Sequence, residues 1–158
     1  MRTQLPLWLG LAFLVIAVGC GGPKPPADLP ELHPLTIEVV QDGKPLVEAS
    51  ISLYAEGSTL AIGGSTDASG KAVIRTLGEF EGAPVGTYKV CIIKEEIESG
   101  TPSDDPMVSG TPSARFNLVD SQFESIDTTT LEIEVVAGDN APPALDVGDA
   151  VKDPITGG

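Results

Sequence analysis

Two cysteines, one histidine and 23 acidic residues are the side chains of this chain with the chemistry for catalysis, metal binding or covalent modification. The histidine, His33, stands among prolines, and we expect it to be a solvated linker residue. Without a histidine in the folded region, neither a Ser-His-Asp nor a Cys-His arrangement can be assembled there. Cys91 lies between Val90 and Ile92, a pattern that predicts a strand residue facing away from its neighbours rather than a reactive thiol.

The acidic residues include pairs that could do glycosidase-type acid–base work or bind calcium. These pairs are Glu95 with Glu96, Asp104 with Asp105, and Glu132 with Glu134; residues 103–105, or Asp120 with Glu124, are the calcium candidates. Such pairs are expected by chance in so acidic a chain, and no segment matches an EF-hand loop, a H-E-x-x-H motif or a phosphate-binding loop. The sequence therefore predicts no enzyme, no metal site and no cofactor.

Cys20 is the residue whose surroundings do predict chemistry. Residues 1–19 combine a positive start, an apolar run and a small-residue exit, which is the layout of a secretory signal. The apolar run, residues 5–18, is shorter than the roughly 20 residues of a membrane-spanning helix. Residues 17–20, Ala-Val-Gly-Cys, resemble the lipobox of bacterial lipoproteins, with an ordinary signal peptide and a chance cysteine as the alternative.

The lipobox resemblance implies where in the cell the protein is located. The signal would be cut between Gly19 and Cys20, and Cys20 would be diacylated and N-acylated, with palmitate among its acyl chains. The protein would then be exported and held at a cell-envelope membrane by this lipid. Gly21 follows the cysteine where an inner-membrane retention signal would have Asp, so the outer membrane is favoured over the inner one.

Charge and cysteine count exclude several classes of function. The formal net charge is −14, and removal of the signal would take away Arg2 but no acidic residue. So negative a protein does not suit nucleic acid or an anionic lipid surface, whose charges demand Lys and Arg. A lipidated Cys20 would leave Cys91 without an intramolecular disulfide partner, and we expect a soluble, monomeric domain behind the anchor.

The pattern of apolar residues predicts one all-β domain over residues 35–137. Residues 20–34 form a Pro-rich tether, and residues 138–158 a flexible tail with room for one short strand at 144–147. Strands with period-two alternation or β-rich composition are predicted at residues 35–39, 47–54, 59–62, 72–76, 87–94 and 131–135. The Ser-, Pro- and Gly-rich segment 95–118 is expected to be a disordered loop. Strands separated by Gly, Pro and Asp turns favour an antiparallel β-sandwich.

Four segments carry a resemblance to a known family. Residues 42–46 (Asp-Gly-Lys-Pro-Leu), 66–71 (Thr-Asp-Ala-Ser-Gly-Lys), 84–90 (Pro-Val-Gly-Thr-Tyr-Lys-Val) and 123–135 follow the motifs of planctomycete-type lipoproteins with a carboxypeptidase regulatory-like domain. Phe123 stands where that family usually has Tyr. The resemblance implies a transthyretin-like (prealbumin-like) sandwich, with an immunoglobulin-like Greek key as the alternative, and it implies no agreed activity.

Two classes of function remain open. The first is a non-catalytic structural or protein-interaction module of the envelope, whose partner is an unknown envelope protein. The second is a domain that binds carbohydrate or another small ligand. Sugar sites stack aromatic rings on their ligand, and Tyr54 is the one ring that the alternation places on the solvent face, which makes it the candidate ligand-binding residue. The scarcity of aromatic residues favours the first class.

Overall fold

The computed structural model describes residues 24–100, 113–141 and 144–155, and within these ranges the chain is all-β apart from one 3₁₀ turn. The strands are β1 (Thr36–Gln41), β2 (Lys44–Pro45), β3 (Ser50–Tyr54), β4 (Ile62–Ser65), β5 (Lys71–Val73), β6 (Arg75–Thr76), β7 (Phe80–Glu81), β8 (Gly86–Ile93), β9 (Glu95–Ser99), β10 (Ser113–Asn117), β11 (Glu132–Val135), β12 (Leu145–Asp146) and β13 (Asp153–Pro154). The 3₁₀ turn is Ser121–Phe123. The predicted all-β class is confirmed.

The larger sheet has the order β11-β8-β3-β4-β6-β7, and all its neighbours are antiparallel. The smaller sheet is built on β1, which pairs with β5 and β2 in antiparallel fashion and with β12 in parallel. A third ladder, β13-β10-β9, forms a separate sheet that follows the larger one closely along the chain, because only Lys94 separates β9 from β8. The arrangement is sandwich-like, and the strands of the described residues pair in antiparallel fashion except for β1 with β12.

One apolar core joins the two sheets. Alternation along the strands places Ile37 and Val39 of β1, and Val90 and Ile92 of β8, at zero exposure inside it. Burying an aliphatic side chain of this size contributes about 1.5–3 kcal/mol. The predicted strands at residues 35–39, 87–94 and 131–135 are confirmed, because the period-two pattern follows from one buried and one exposed face.

Asp67 stabilises a turn, and Tyr88 anchors the start of β8 in the core. The Asp67 carboxylate accepts hydrogen bonds from the Ser69 and Lys71 N–H groups, at 2.8 and 3.0 Å, and from the Ser69 hydroxyl. These hydrogen bonds lower the pKa of Asp67, and the bond from the Ser69 hydroxyl has the largest effect. Tyr88 packs its ring in the core, and its hydroxyl donates to the Pro84 carbonyl at 2.8 Å. Burial raises the pKa of Tyr88.

The C-terminal segment belongs to the fold, so the domain boundary predicted at residue 137 is wrong. The short strand allowed at 144–147 is present as β12, and Leu145 and Val147 lie in the core at 7 % and 1 % exposure. The Val147 N–H donates to the Val40 carbonyl at 3.0 Å. Further on, β13 pairs with β10. Two apolar residues spaced by two are enough to complete the sheet beside β1, although the surrounding composition is that of a tail.

The segment predicted as a disordered loop, residues 95–118, is ordered at both ends. Its flanks pair as β9 and β10 over five residue positions, from Glu95 opposite Asn117 to Ser99 opposite Ser113. Ion pairs support the ladder: Arg115 bonds Glu95 at 2.7 Å, and Lys152 bonds Glu96 at 2.9 Å. Residues 101–112, the centre of the segment, lie outside the described residues.

His33 is not the solvated linker residue that its sequence context predicted. Its N–H donates to the Ala83 carbonyl at 2.9 Å, and its carbonyl accepts from the Ala83 N–H at 3.0 Å. The imidazole Nδ1 accepts a hydrogen bond from the Gly138 N–H at 3.1 Å. The sandwich therefore begins at His33, two residues before the predicted start.

Two strands are displaced from their predicted positions. The strand predicted at 47–54 begins at Ser50, because Glu48 adopts a left-handed turn with a φ of 57°. The strand predicted at 59–62 is found at Ile62–Ser65. Gly63 and Gly64 make this shift sterically possible, since a Cβ at Gly64 would lie 2.7 Å from the Val73 carbonyl oxygen.

Candidate functional site

Tyr54 marks the outer face of the larger sheet. Along β3 the side chains of Ile51 and Leu53 enter the core, which turns Ser52 and Tyr54 to the opposite face. Tyr54 stands directly opposite Lys89 of β8 and is 49 % exposed. Its predicted position on the solvent face is confirmed, and its predicted role in ligand binding stays a prediction.

A groove of about 650 Å³ runs along one side of the Tyr54 ring. Gly63 lies between Ser52 and Arg75 in the pairing register, so the sheet has no side chain at this point of the groove. Arg75 is held by an ion pair with Glu81 at 2.9 Å. The groove therefore combines the apolar face of the Tyr54 ring with the hydrogen-bond donors and acceptors of its hydroxyl groups and of the ion pair. This combination is usual for a small-ligand site.

A second groove, of about 440 Å³, lies on the other side of Tyr54. Its lining includes three carboxylates, those of Glu56, Asp127 and Glu132, together with the half-exposed side chain of Ile126. Lys89 is the basic residue of this groove, and its Nζ donates to the Ile126 carbonyl at 2.8 Å. Tyr54 therefore separates a mainly neutral groove from an acidic one.

Cys91 faces away from the core residues of β8, as its position in the sequence predicted. It is nonetheless buried, at 5 % exposure, beside a small pocket lined by Glu124, Ser125 and Ile126. Burial raises the pKa of the Cys91 thiol, and the charge of Lys89 offsets this in part. A raised pKa lowers the thiolate fraction, so this cysteine is not activated as a nucleophile.

Those carboxylates singled out in the sequence that the structure describes do not converge on a metal site. Glu132 and Glu134 share the exposed face of β11, as predicted, and pair across the sheet with Lys89 and Thr87. Among the described residues, no group of three or more His, Cys, Asp and Glu side chains is placed to hold a metal ion.

Asp120 and Glu124, the calcium candidates within the described residues, are each bound to protein. The Asp120 carboxylate caps the 3₁₀ turn by accepting from the Gln122 N–H at 2.9 Å. Glu124 accepts a hydrogen bond from the Asn117 amide. Residues 103–105 lie outside the described part of the chain.

Asn117 is the buried polar residue that the sequence patterns did not reveal. Its side-chain oxygen accepts from the Lys94 and Val119 N–H groups at 3.1 and 3.2 Å, and its exposed fraction is 1 %. It thereby ties the junction of β8 and β9 to the end of β10. An Asn at the end of a predicted loop carries no periodic signal, so only the fold exposes this role.

Gly19 and Cys20, the residues of the predicted cleavage and lipidation site, lie outside the described residues. Within the ranges that the structure covers, no helix has the length and apolar character needed to cross a membrane. Comparison of the chain with protein-family models, with curated proteins and with solved structures found no match.

Proposed function

We propose that this chain is an exported lipoprotein whose sandwich acts as a non-catalytic structural or protein-interaction module at the cell envelope. Lipid on Cys20 anchors it, in the outer membrane rather than the inner one. Within this proposal the sandwich is transthyretin-like and belongs with the carboxypeptidase regulatory-like domains, as the four sequence segments suggest. The domain works as a monomer.

The observation that carries this proposal is the way the chain enters the sandwich. Residues 24–28 are exposed, and the first interstrand hydrogen bonds of the described domain are those between His33 and Ala83. An exposed, Pro-rich lead of this kind suits a spacer between an acylated Cys20 and a folded domain.

Among the described residues, Cys91 and His33 have the side chains best suited to nucleophilic or general-base chemistry, and both support the non-catalytic part of the proposal. The Cys91 thiol is buried, with its pKa raised. The Nδ1 atom of His33 is occupied by the Gly138 N–H. Each residue therefore has a structural position that works against a catalytic role.

Membrane fractionation tests the anchor. The wild-type protein should remain in the membrane fraction after a high-salt wash, and Cys20→Ser should prevent acylation and signal cleavage at this site. Because the second cysteine is buried in the sheet, Cys91→Ser is the matched control and should fractionate like the wild type. A Cys20→Ser protein that migrates like the mature wild type in gels and stays equally membrane-bound would contradict a lipid anchor at Cys20.

Carbohydrate binding is the second candidate, and the groove of about 650 Å³ beside Tyr54 is the observation that favours it. A pyranose ring that stacks on Tyr54 should be retained by Tyr54→Phe and released by Tyr54→Ala, since only the latter removes the ring face. Retardation on gels that contain neutral polysaccharides measures this. Equal migration of the wild type and Tyr54→Ala on every gel would end the candidate.

A further inference from the structure

Strand β11 forms one edge of the larger sheet, and its backbone has an open side. The Val90 N–H donates to the Leu131 carbonyl at 2.9 Å, in the same register that pairs Ile133 with Tyr88. In an antiparallel ladder hydrogen-bonded positions alternate with positions that point away. The N–H and C=O groups of Glu132 and Glu134 therefore point away from β8.

The next outward position on this edge is already filled. The side-chain amide of Asn140 accepts from the Val136 N–H at 2.8 Å and donates to the Val136 carbonyl at 2.9 Å. This is the pair of bonds that a neighbouring strand would make. Within the described residues, the backbone groups of Glu132 and Glu134 have no such partner. The edge is thus capped at one end and open over the two glutamates.

The charge around the open edge specifies its partner. The side chains of Glu132 and Glu134 are exposed on the outer face, and Glu132 also lines the acidic groove with Glu56 and Asp127. Opposite charges on neighbouring strands stabilise pairing, and like charges directly opposite destabilise it. A second copy of this edge would bring glutamate against glutamate, so the edge is protected against self-pairing.

We propose that β11 binds an extended, Lys- or Arg-bearing segment of a partner protein by strand addition. Backbone hydrogen bonds to Glu132 and Glu134 provide the affinity. The basic side chains on the outer face of the added strand pair with the two glutamate carboxylates and give the specificity. This inference rests on the proposed role as an interaction module and names the partner of that module.

The test uses the mature full chain in detergent and two labelled eight-residue peptides, in which Lys or Glu alternates with Thr. The Lys peptide should bind, more weakly as ionic strength rises, and the Glu peptide should not. Glu134→Pro removes an N–H that the sheet does not use, which an edge strand tolerates. It should weaken binding about tenfold or more, whereas Glu134→Gln, which keeps the N–H, should weaken binding less.

A charge exchange makes the test reciprocal. Glu132→Lys combined with Glu134→Lys should lose the Lys peptide and bind the Glu peptide. Circular dichroism and the unfolding midpoint check that each variant is folded. Binding of the Lys peptide by folded Glu134→Pro at wild-type strength would overturn strand addition, because only diffuse charge attraction would remain. Self-association that Glu134→Pro abolishes would also overturn it, by making a second copy the occupant.

The peptide result is independent of the anchor. If the peptides fail to bind while Cys20→Ser still abolishes acylation, the proposal of strand addition at β11 is wrong and the proposal of an envelope lipoprotein is retained. If Cys20 carries no lipid but the Lys peptide binds as described, β11 is a docking site in a protein that is not anchored through Cys20.

Discussion

At the scale of single residues, Asn117 has a structural role in the fold that no sequence pattern predicted. It is the buried acceptor for two backbone N–H groups at the point where the chain passes from β8 of the larger sheet into the β9–β10 ladder. Buried polar groups that lose their partner destabilise a protein by about 1–3 kcal/mol each. A single amide thus has an energetic weight comparable to a buried aliphatic side chain.

Asn117→Ala should therefore lower the free energy of unfolding by about 2–4 kcal/mol, because the Lys94 and Val119 N–H groups lose their acceptor. Gln122→Ala, which removes an exposed side chain nearby, is the control and should change stability by less than about 0.5 kcal/mol. Urea unfolding followed by circular dichroism measures both variants. Equal midpoints for Asn117→Ala and the wild type would show that this amide does not support the ladder.

At the scale of elements, β12 shows how a composition rule fails. Residues 138–158 are rich in Gly, Pro and Asp, which predicts a tail. Leu145 and Val147 nevertheless complete the core beside β1, because a parallel neighbour needs only two buried side chains and two ladder positions. Two apolar residues alone do not predict a strand. They do so only once it is known that β1 has an open edge with which they can pair.

Replacing Leu145 and Val147 together by Ala should destabilise the protein by about 4 kcal/mol, since each substitution leaves a cavity in the core. That is a large share of the roughly 5–15 kcal/mol that stabilises a typical domain. Asp149→Ala, an exposed change two residues after Val147, is the matched control. Thermal unfolding of the three proteins decides whether this segment is part of the fold, and unchanged stability of the double variant would make it a tail.

The elements that were predicted correctly share one property. In β1, β8 and β11 one face is buried in the core and the other is exposed or half-buried, with Cys91 of β8 as the exception, so the alternation is visible in the sequence itself. In β9 four of the five side chains are exposed and three are glutamates, and ion pairs with Arg115 and Lys152 from distant segments support the ladder. Non-local ion pairs have no local signature, which is why residues 95–118 were predicted to be a loop.

The candidate sites also include features that the local sequence predicts and features that depend on the topology. The exposure of Tyr54 followed from alternation along β3, a local property. The grooves on either side of its ring, and the open backbone of Glu132 and Glu134, depend on which strands are neighbours and in what register. Sequence patterning predicts faces of strands, whereas edges and grooves require the topology.

At the scale of the whole molecule, the net charge and the proposed lipid anchor would act together. The chain carries a formal net charge of −14, which keeps copies apart and draws basic segments toward it. A lipid at Cys20 would hold the sandwich near a membrane surface, and the exposed lead before His33 would let it turn to meet a partner. Under these proposals, the anchor would set where the module works, and the acidic edge at β11 would set what it binds.

Mass spectrometry of the N-terminal peptide of the membrane-purified protein tests this account most directly. We expect a mature chain that begins at Cys20, with a diacylglyceryl thioether on its sulfur and an acyl group on its amino terminus, and with Cys91 unmodified. Peptides that span residues 19 and 20, or a mature N-terminus at an unmodified Cys20, would contradict it.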